Sequence, residues 1–178
     1  DGKIIWQHNC NDSPVSCQRL PNGNTMIATY NMVMEVDRSG KRVFEQRRPS
    51  MVFGAQKLRD GHLVIAQSDG KVIELDSTGK EIVSVNVGNL SGWASVERLP
   101  NRRYLVSGYS GNFVKEVDAN GKVYWEISVN LPGYATRLPS GNTLVCSIGS
   151  NFVAEYDRNG KQVWNIKTAG RPFRVHRR

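Results

Sequence analysis

What this chain lacks narrows it quickly. No run of about 18 apolar residues occurs, so no membrane-spanning helix is encoded. No window keeps apolar residues at sustained helical spacing, which removes amphipathic helices from the expected fold. The three cysteines form neither a Cys-x-x-Cys metal spacing nor a haem-attachment motif, and no two of them are adjacent. No glycine-rich loop leads into a helix to cradle phosphate, and no nucleophile elbow marks a Ser/His/Asp set. Histidine is scarce too, with His8, His62 and His176 spread along the chain.

Three cysteines cannot all pair. Cys146 sits in an apolar run and reads as a buried small hydrophobe. Cys10 and Cys17 flank Asn11-Asp12-Ser13-Pro14, where a disulfide is geometrically open if the compartment is oxidising. The N-terminus begins Asp-Gly-Lys without an apolar leader, which leaves the compartment unassigned, an extracytoplasmic one being favoured.

Charge is plentiful but dispersed. The 178 residues carry a net charge of +8, with 24 Lys and Arg against 16 Asp and Glu. Small basic clusters occur at Arg47-Arg48, at Arg102-Arg103 and from Arg174 to Arg178, and aromatics do not interleave with them as they would in a base-stacking platform. A basic ring that binds polyanions is therefore a minor reading, and nucleic acid is not the expected partner.

What is present is a repeat. Arg19-Leu20-Pro21, Lys57-Leu58-Arg59, Arg98-Leu99-Pro100 and Arg137-Leu138-Pro139 recur at spacings of 38, 41 and 39 residues. A Gly-Lys pair recurs at Gly40, Gly79, Gly121 and Gly160, and once more at Gly2. Each copy contains short β-prone runs such as Leu144-Val145-Cys146, separated in the first and fourth copies by Asn22-Gly23 and Ser140-Gly141 and in all four by Asp-x-x-Gly turns. Four short strands in about forty residues is the period of a β-propeller blade. The expected fold is all-β: four complete blades at approximately 13–48, 49–89, 90–130 and 131–169, within one domain over 1–178. Residues 1–12 match the end of a copy and 170–178 the start of one, so the termini should share a fifth, partial blade; the alternative is a segment of a larger ring. That incomplete blade gives an expectation of self-association, because unpaired edges recruit other strands.

The units Arg-Leu-Pro-x-Gly-Asn-Thr-Leu and Glu-x-Asp-x-x-Gly-Lys-x-Val-Trp resemble repeats of the quinoprotein-like β-propeller superfamily, which includes the pyrroloquinoline-quinone-type repeat proteins and, more distantly, the arylsulfotransferases. The resemblance covers essentially the whole chain. It implies that Trp6, Trp125 and Trp164, with Phe44 as a weaker version, are docking residues packed between blades. The enzymes of that group hold a cofactor against a vicinal disulfide, bind calcium with clustered carboxylates, or converge histidines on the channel, and this sequence shows none of these. No cofactor and no metal are expected, and the expected status is non-catalytic. A segment or remnant of a quinone-dependent or arylsulfotransferase-like enzyme is the alternative.

Function should then lie in the loops. The hairpins after the first and third strands of each copy are short and stereotyped, whereas the links after the second and fourth vary. The variable links supply the candidate contact residues for a protein or glycan partner: Tyr30, Arg47, Arg48, Trp93, Tyr109, Asn112 and Asn151. Glu35, Glu74, Glu116 and Glu155 recur in every copy and are read as structural partners of the recurring Arg19, Lys57, Arg98 and Arg137, since a catalytic carboxylate is needed once. Arg102 stands where other copies have glycine and should adopt positive φ. His62, where the first and fourth copies have Asn24 and Asn142, is read as solvated.

Overall fold

A computed structural model describes residues 2–177; Asp1 and Arg178, the outermost residues of the expected shared blade, lie outside them. Sixteen strands form four four-stranded antiparallel sheets, and no helix occurs among the described residues. The first sheet contains β1 (Pro14–Arg19), β2 (Thr25–Thr29), β3 (Met32–Val36) and β4 (Arg42–Arg47). The second contains β5 (Val52–Lys57), β6 (Leu63–Gln67), β7 (Lys71–Leu75) and β8 (Glu81–Asn86). The third is built from β9 (Ala94–Arg98), β10 (Tyr104–Gly108), β11 (Phe113–Val117) and β12 (Val123–Ser128), and the fourth from β13 (Pro132–Arg137), β14 (Thr143–Ser147), β15 (Phe152–Tyr156) and β16 (Gln162–Lys167). Within each sheet the strands pair in chain order.

Turn chemistry explains the meander. Asp37 Oδ1 accepts the backbone N–H of Ser39 at 2.8 Å and of Lys41 at 3.0 Å, while Gly40 supplies a φ of 86°. Asp76, Asp118 and Asp157 repeat that arrangement. At the other hairpin of the third sheet Arg102 takes a φ of 62° and its N–H donates to Leu99 O, as Gly23 does to Leu20 O in the first. The arginine thus holds a left-handed conformation that costs a side-chain-bearing residue about 1 kcal/mol.

The second strand of each sheet is buried over its whole length. In the second and third sheets a neighbouring sheet covers each face of that strand, whereas in the first Trp6 and Cys10 pack on the outer face at Ile27. Each junction has its own apolar cluster: Ala28 and Val33 pack with Val52 and Ile65, Val64 and Val72 with Val96 and Val106, and Leu105 and Val114 with Ala135 and Val145.

Polar latches fasten the same junctions. Gln18 Oε1 accepts the Lys57 N–H at 2.9 Å, Gln56 Oε1 the Arg98 N–H at 2.7 Å, and Glu97 Oε2 the Arg137 N–H at 3.0 Å. The side chain of the same latched arginine reaches the third-strand glutamate of the preceding sheet. Arg98 pairs with Glu74 at 2.8 Å and Arg137 with Glu116 at 2.7 Å. The recurring carboxylates are therefore structural, and their arginine belongs to the next sheet rather than their own. Lys57 departs from the series: its ammonium lies 4.3 Å from the Phe44 ring centre, and Glu35 instead accepts from Asn22 and Asn24.

His62 corrects the expectation of a solvated side chain. Its Nδ1 lies 2.8 Å from Glu74 Oε1, where Asn24 and Asn142 donate to Glu35 and Glu155. The imidazole replaces the amide as a donor to a buried carboxylate. Burial pushes the Glu74 carboxyl up, but the Tyr104 hydroxyl, His62 and Arg98 outweigh it and hold the group below the usual carboxylate range. Glu116 behaves alike: burial raises it, and Arg103, Asn101 and Arg137 bring it down.

The terminal segments hold blade-like places without being strands. Neither 2–13 nor 168–177 is paired in a sheet, apart from the opening of β1 at Pro14. Among the described residues no strand hydrogen-bonds to them, and a ladder needs a neighbour about 4.8 Å away. Side chains anchor them instead. The Arg19 guanidinium lies 5.3 Å from the Trp6 ring centre, and Trp6 and Cys10 pack on Ile27, Met34 and Val36. Arg177 pairs with Glu155, repeating the arginine–glutamate latch.

Candidate functional site

The links β2–β3, β4–β5 and their equivalents emerge on one face, opposite the Asp-x-x-Gly hairpins. Two candidate residues there prove to be parts of a repeated turn. Asn112 and Asn151 adopt φ of 55° and 53°, and their carbonyls accept the N–H of Val129 and Thr168, as Asn31 and Gly70 do for Arg48 and Val87. Asn112 Oδ1 also accepts the Leu131 N–H at 2.8 Å. Arg48 is committed as well: its side chain is 10% exposed and donates to Glu81 at 3.2 Å. Arg47 projects into solvent beyond its 2.9 Å pair with Glu45.

The remaining aromatics converge. Tyr30 meets the edge of Phe53, with ring centres 6.3 Å apart, and Trp93 meets Phe173 at 5.6 Å. Phe53, Trp93 and Phe173 line a central cavity of about 470 Å³, walled by the first strands of all four sheets and by the segment around Phe173 to His176. The Arg174 guanidinium lies over Tyr134, 5.2 Å from its ring centre, in the same wall. Deeper along the strands the lining turns polar, with Gln18, Gln56, Glu97 and Thr136. Burial raises the Glu97 carboxyl, against the lowering effects of the Arg137 N–H, the Thr136 hydroxyl and the Arg137 charge. Beside the cavity, Tyr109, Asn151, Leu131, Ile148 and Arg171 surround a smaller hollow of about 230 Å³.

Sequence reasoning placed Trp93 on the variable face and missed its partner Phe173, which was assigned to an unfinished strand. It also missed Glu97. A comparison of the copies carried the signal: Gln18, Gln56 and Thr136 occupy the equivalent positions without charge.

Of the docking residues, Trp125 is 8% exposed and its Nε1 donates to Asp157 O in the next sheet, while Phe44 and Trp6 are half-buried. Trp164 corrects the expectation of a packed docking residue. It is 48% exposed, because among the described residues no further sheet follows β16. The three cysteines are free, so Cys10 and Cys17 are unbridged. Burial pushes the Cys146 thiol up to about 11. No group of three or more His, Cys, Asp or Glu side chains is arranged to hold a metal ion among the described residues. Among the described residues no helix is long and apolar enough to cross a membrane.

Comparison with known proteins places the architecture. No family model matches the chain, and no curated protein matches it by sequence. Solved structures do match. A protein of unknown function from Bacteroides caccae superposes with a TM-score of 0.78 at 15% identity, over 93% of this chain and 65% of that one. A catalytically inactive virginiamycin B lyase from Staphylococcus aureus, with quinupristin, gives 0.69 at 16%, over 88% and 56%. BBS1N in complex with ARL6DN gives 0.65 at 15%, over 90% and 55%. The chain spans about 55–65% of the length of the structures it matches. The fold is a β-propeller of four-stranded blades.

Proposed function

We propose that this chain is a non-catalytic propeller scaffold that binds a protein or glycan partner through its variable-loop face. The observation that carries this reading is the contrast between the faces. One repeats the same Asp-capped turn four times. The other gathers Tyr30, Trp93, Tyr109 and Phe173 beside Arg47, Arg171 and Arg174, a mixture of aromatic and arginine groups of the kind enriched in interface cores. The recurring carboxylates support the non-catalytic part, because Glu74 and Glu116 are each engaged by an arginine of the next blade and by a second side chain, His62 or Arg103, of their own. BBS1N, whose propeller was solved in complex with a protein, gives a precedent on the same fold. The buried Trp125 under the Arg137 guanidinium, 5.4 Å from its ring centre, supports a place among the quinoprotein-like repeat proteins.

The test compares faces. Tyr109→Ala and Arg47→Ala on the variable face, and Arg59→Ala and Lys80→Ala on the hairpin face, are screened against a glycan array and by pull-down with mass spectrometry. Specific binders should be lost from the first pair and kept by the second. Binders lost from the hairpin-face variants alone would contradict the reading.

A further inference from the structure

The latch between first strands contains one charge that it does not use. Gln18 and Gln56 make their contacts to the next blade as neutral amides, at 2.9 and 2.7 Å, so an acceptor oxygen is all the junction requires. Glu97 makes the equivalent contact through Oε2 at 3.0 Å and brings a negative charge with it. That charge has no ion-pair partner among the described residues. Arg137, the cation whose charge acts on it, spends Nη2 on Glu116 at 2.7 Å and Nη1 on Gly141 O at 2.9 Å. Placing a carboxylate against a partly desolvated wall is unfavourable unless something compensates it.

The surroundings indicate what compensates it. Glu97 is the acidic residue among those lining the central cavity, whose apolar wall includes Phe53, Trp93 and Phe173. A volume of about 470 Å³ falls within the roughly 300–1,000 Å³ typical of small-molecule sites, and an apolar wall with a few placed polar groups is their usual character. The other charged or ionisable side chains facing this space are Arg174, the Tyr134 phenol on which it lies, His176 and the Cys17 thiol.

We propose that the central cavity is a binding site for a small aromatic ammonium compound, its ring held against the Trp93–Phe173 pair and Phe53 and its cationic head on Glu97. The ammonium supplies the missing counter-charge, and the aromatic wall favours both the ring and the cation. Glu97 is then the specificity-determining residue, and the latch its second task. This site shares Trp93, Phe173 and Arg174 with the variable-loop face, but its test stands apart from that reading because Tyr109 and Arg47, which probe the face, do not line the cavity.

The probe is tryptamine, with phenylacetate and 2-phenylethanol as anionic and neutral counterparts, measured by calorimetry on the wild type, Glu97→Gln and Trp93→Leu. Tryptamine should bind the wild type more tightly than either counterpart. Affinity should fall roughly tenfold or more in Glu97→Gln, the scale of one charge-assisted contact. The melting temperature of that variant should stay within about 2 °C, because glutamine restores the latch of Gln18 and Gln56. In a Cys10→Ser background, saturating tryptamine should also slow alkylation of Cys17, which is exposed and lines the cavity. No tryptamine binding, equal binding to Glu97→Gln, tighter binding of phenylacetate, or unprotected Cys17 would each overturn the proposal. A melting temperature lowered by several degrees in Glu97→Gln would also overturn it, since the charge would then be structural.

Discussion

Trp125 and Trp164 end the same motif, Gly-Lys followed three or four residues later by tryptophan, yet one is 8% exposed and the other 48%. Both lie on fourth strands and both pair with the third-strand glutamate of their sheet, Glu116 and Glu155. The difference is the neighbour. Trp125 lies against the fourth sheet, donates to Asp157 O and sits under Arg137. Among the described residues Trp164 faces no further sheet, and beside it the terminal segment contributes the Arg177 pair with Glu155. In a repeat protein the motif supplies half of an interface, and burial comes from the next unit.

The largest expected effect sharpens that contrast. Trp125→Ala should cost about 3–5 kcal/mol in chemical denaturation, the usual loss for a truncated core aromatic. Trp164→Ala should cost less than about 1 kcal/mol, as expected of a half-exposed site. Equal losses would show that Trp164 is packed in solution.

The ion pairs make the next test, through pH. Glu74 and Glu116 have folded pKa values held below their unfolded ones, so their contribution is present above the ordinary carboxylate range. It is lost as pH falls through the depressed folded values. Glu97 has the opposite sign: its raised folded pKa gives a contribution that is present below the unfolded value and lost as pH rises through the folded one. Stability should therefore fall below about pH 4, and Glu116→Gln should flatten that fall. Glu97→Gln should instead remove a loss at higher pH. Identical pH profiles for wild type and both variants would contradict this assignment of charges.

Smaller effects follow from single positions. Arg102→Gly should stabilise by up to about 1 kcal/mol, since φ is 62° there; a loss of stability would show that the arginine side chain contributes more than its backbone costs. Thiol titration of the native protein should find Cys10 and Cys17 reactive and Cys146 silent until denaturant is added, as its burial and raised pKa require.

Much of the fold was legible because it is local and stated four times. Turn residues such as Asp37 and Gly40 act within their own hairpin, and Met26-Ile27 or Val64-Ile65 announce a strand covered on both sides. What depends on the neighbouring blade was harder to see. The Glu116 series was recognised as structural, but that Arg137 of the following blade completes it is a fact of ring geometry. His62 was misjudged because a histidine beside a turn looks solvated until Glu74 is placed 2.8 Å away. The candidate site was legible as a face through Trp93 and Tyr109. Arg48, Asn112 and Asn151, chosen as variable, are absorbed by ion pairing or by the repeated turn. Phe173 was hidden because an expected strand has no neighbour to pair with.

The claim that the next blade makes the interface is tested most directly by two double-mutant cycles. One joins Glu116→Gln with Arg137→Met, a pair whose side chains are 2% and 8% exposed. The other joins Glu155→Gln with Arg177→Met, where the arginine side chain is 61% exposed. The coupling energy should reach about 2 kcal/mol or more in the first cycle and stay below about 0.5 kcal/mol in the second. Equal couplings in the two cycles would contradict the account.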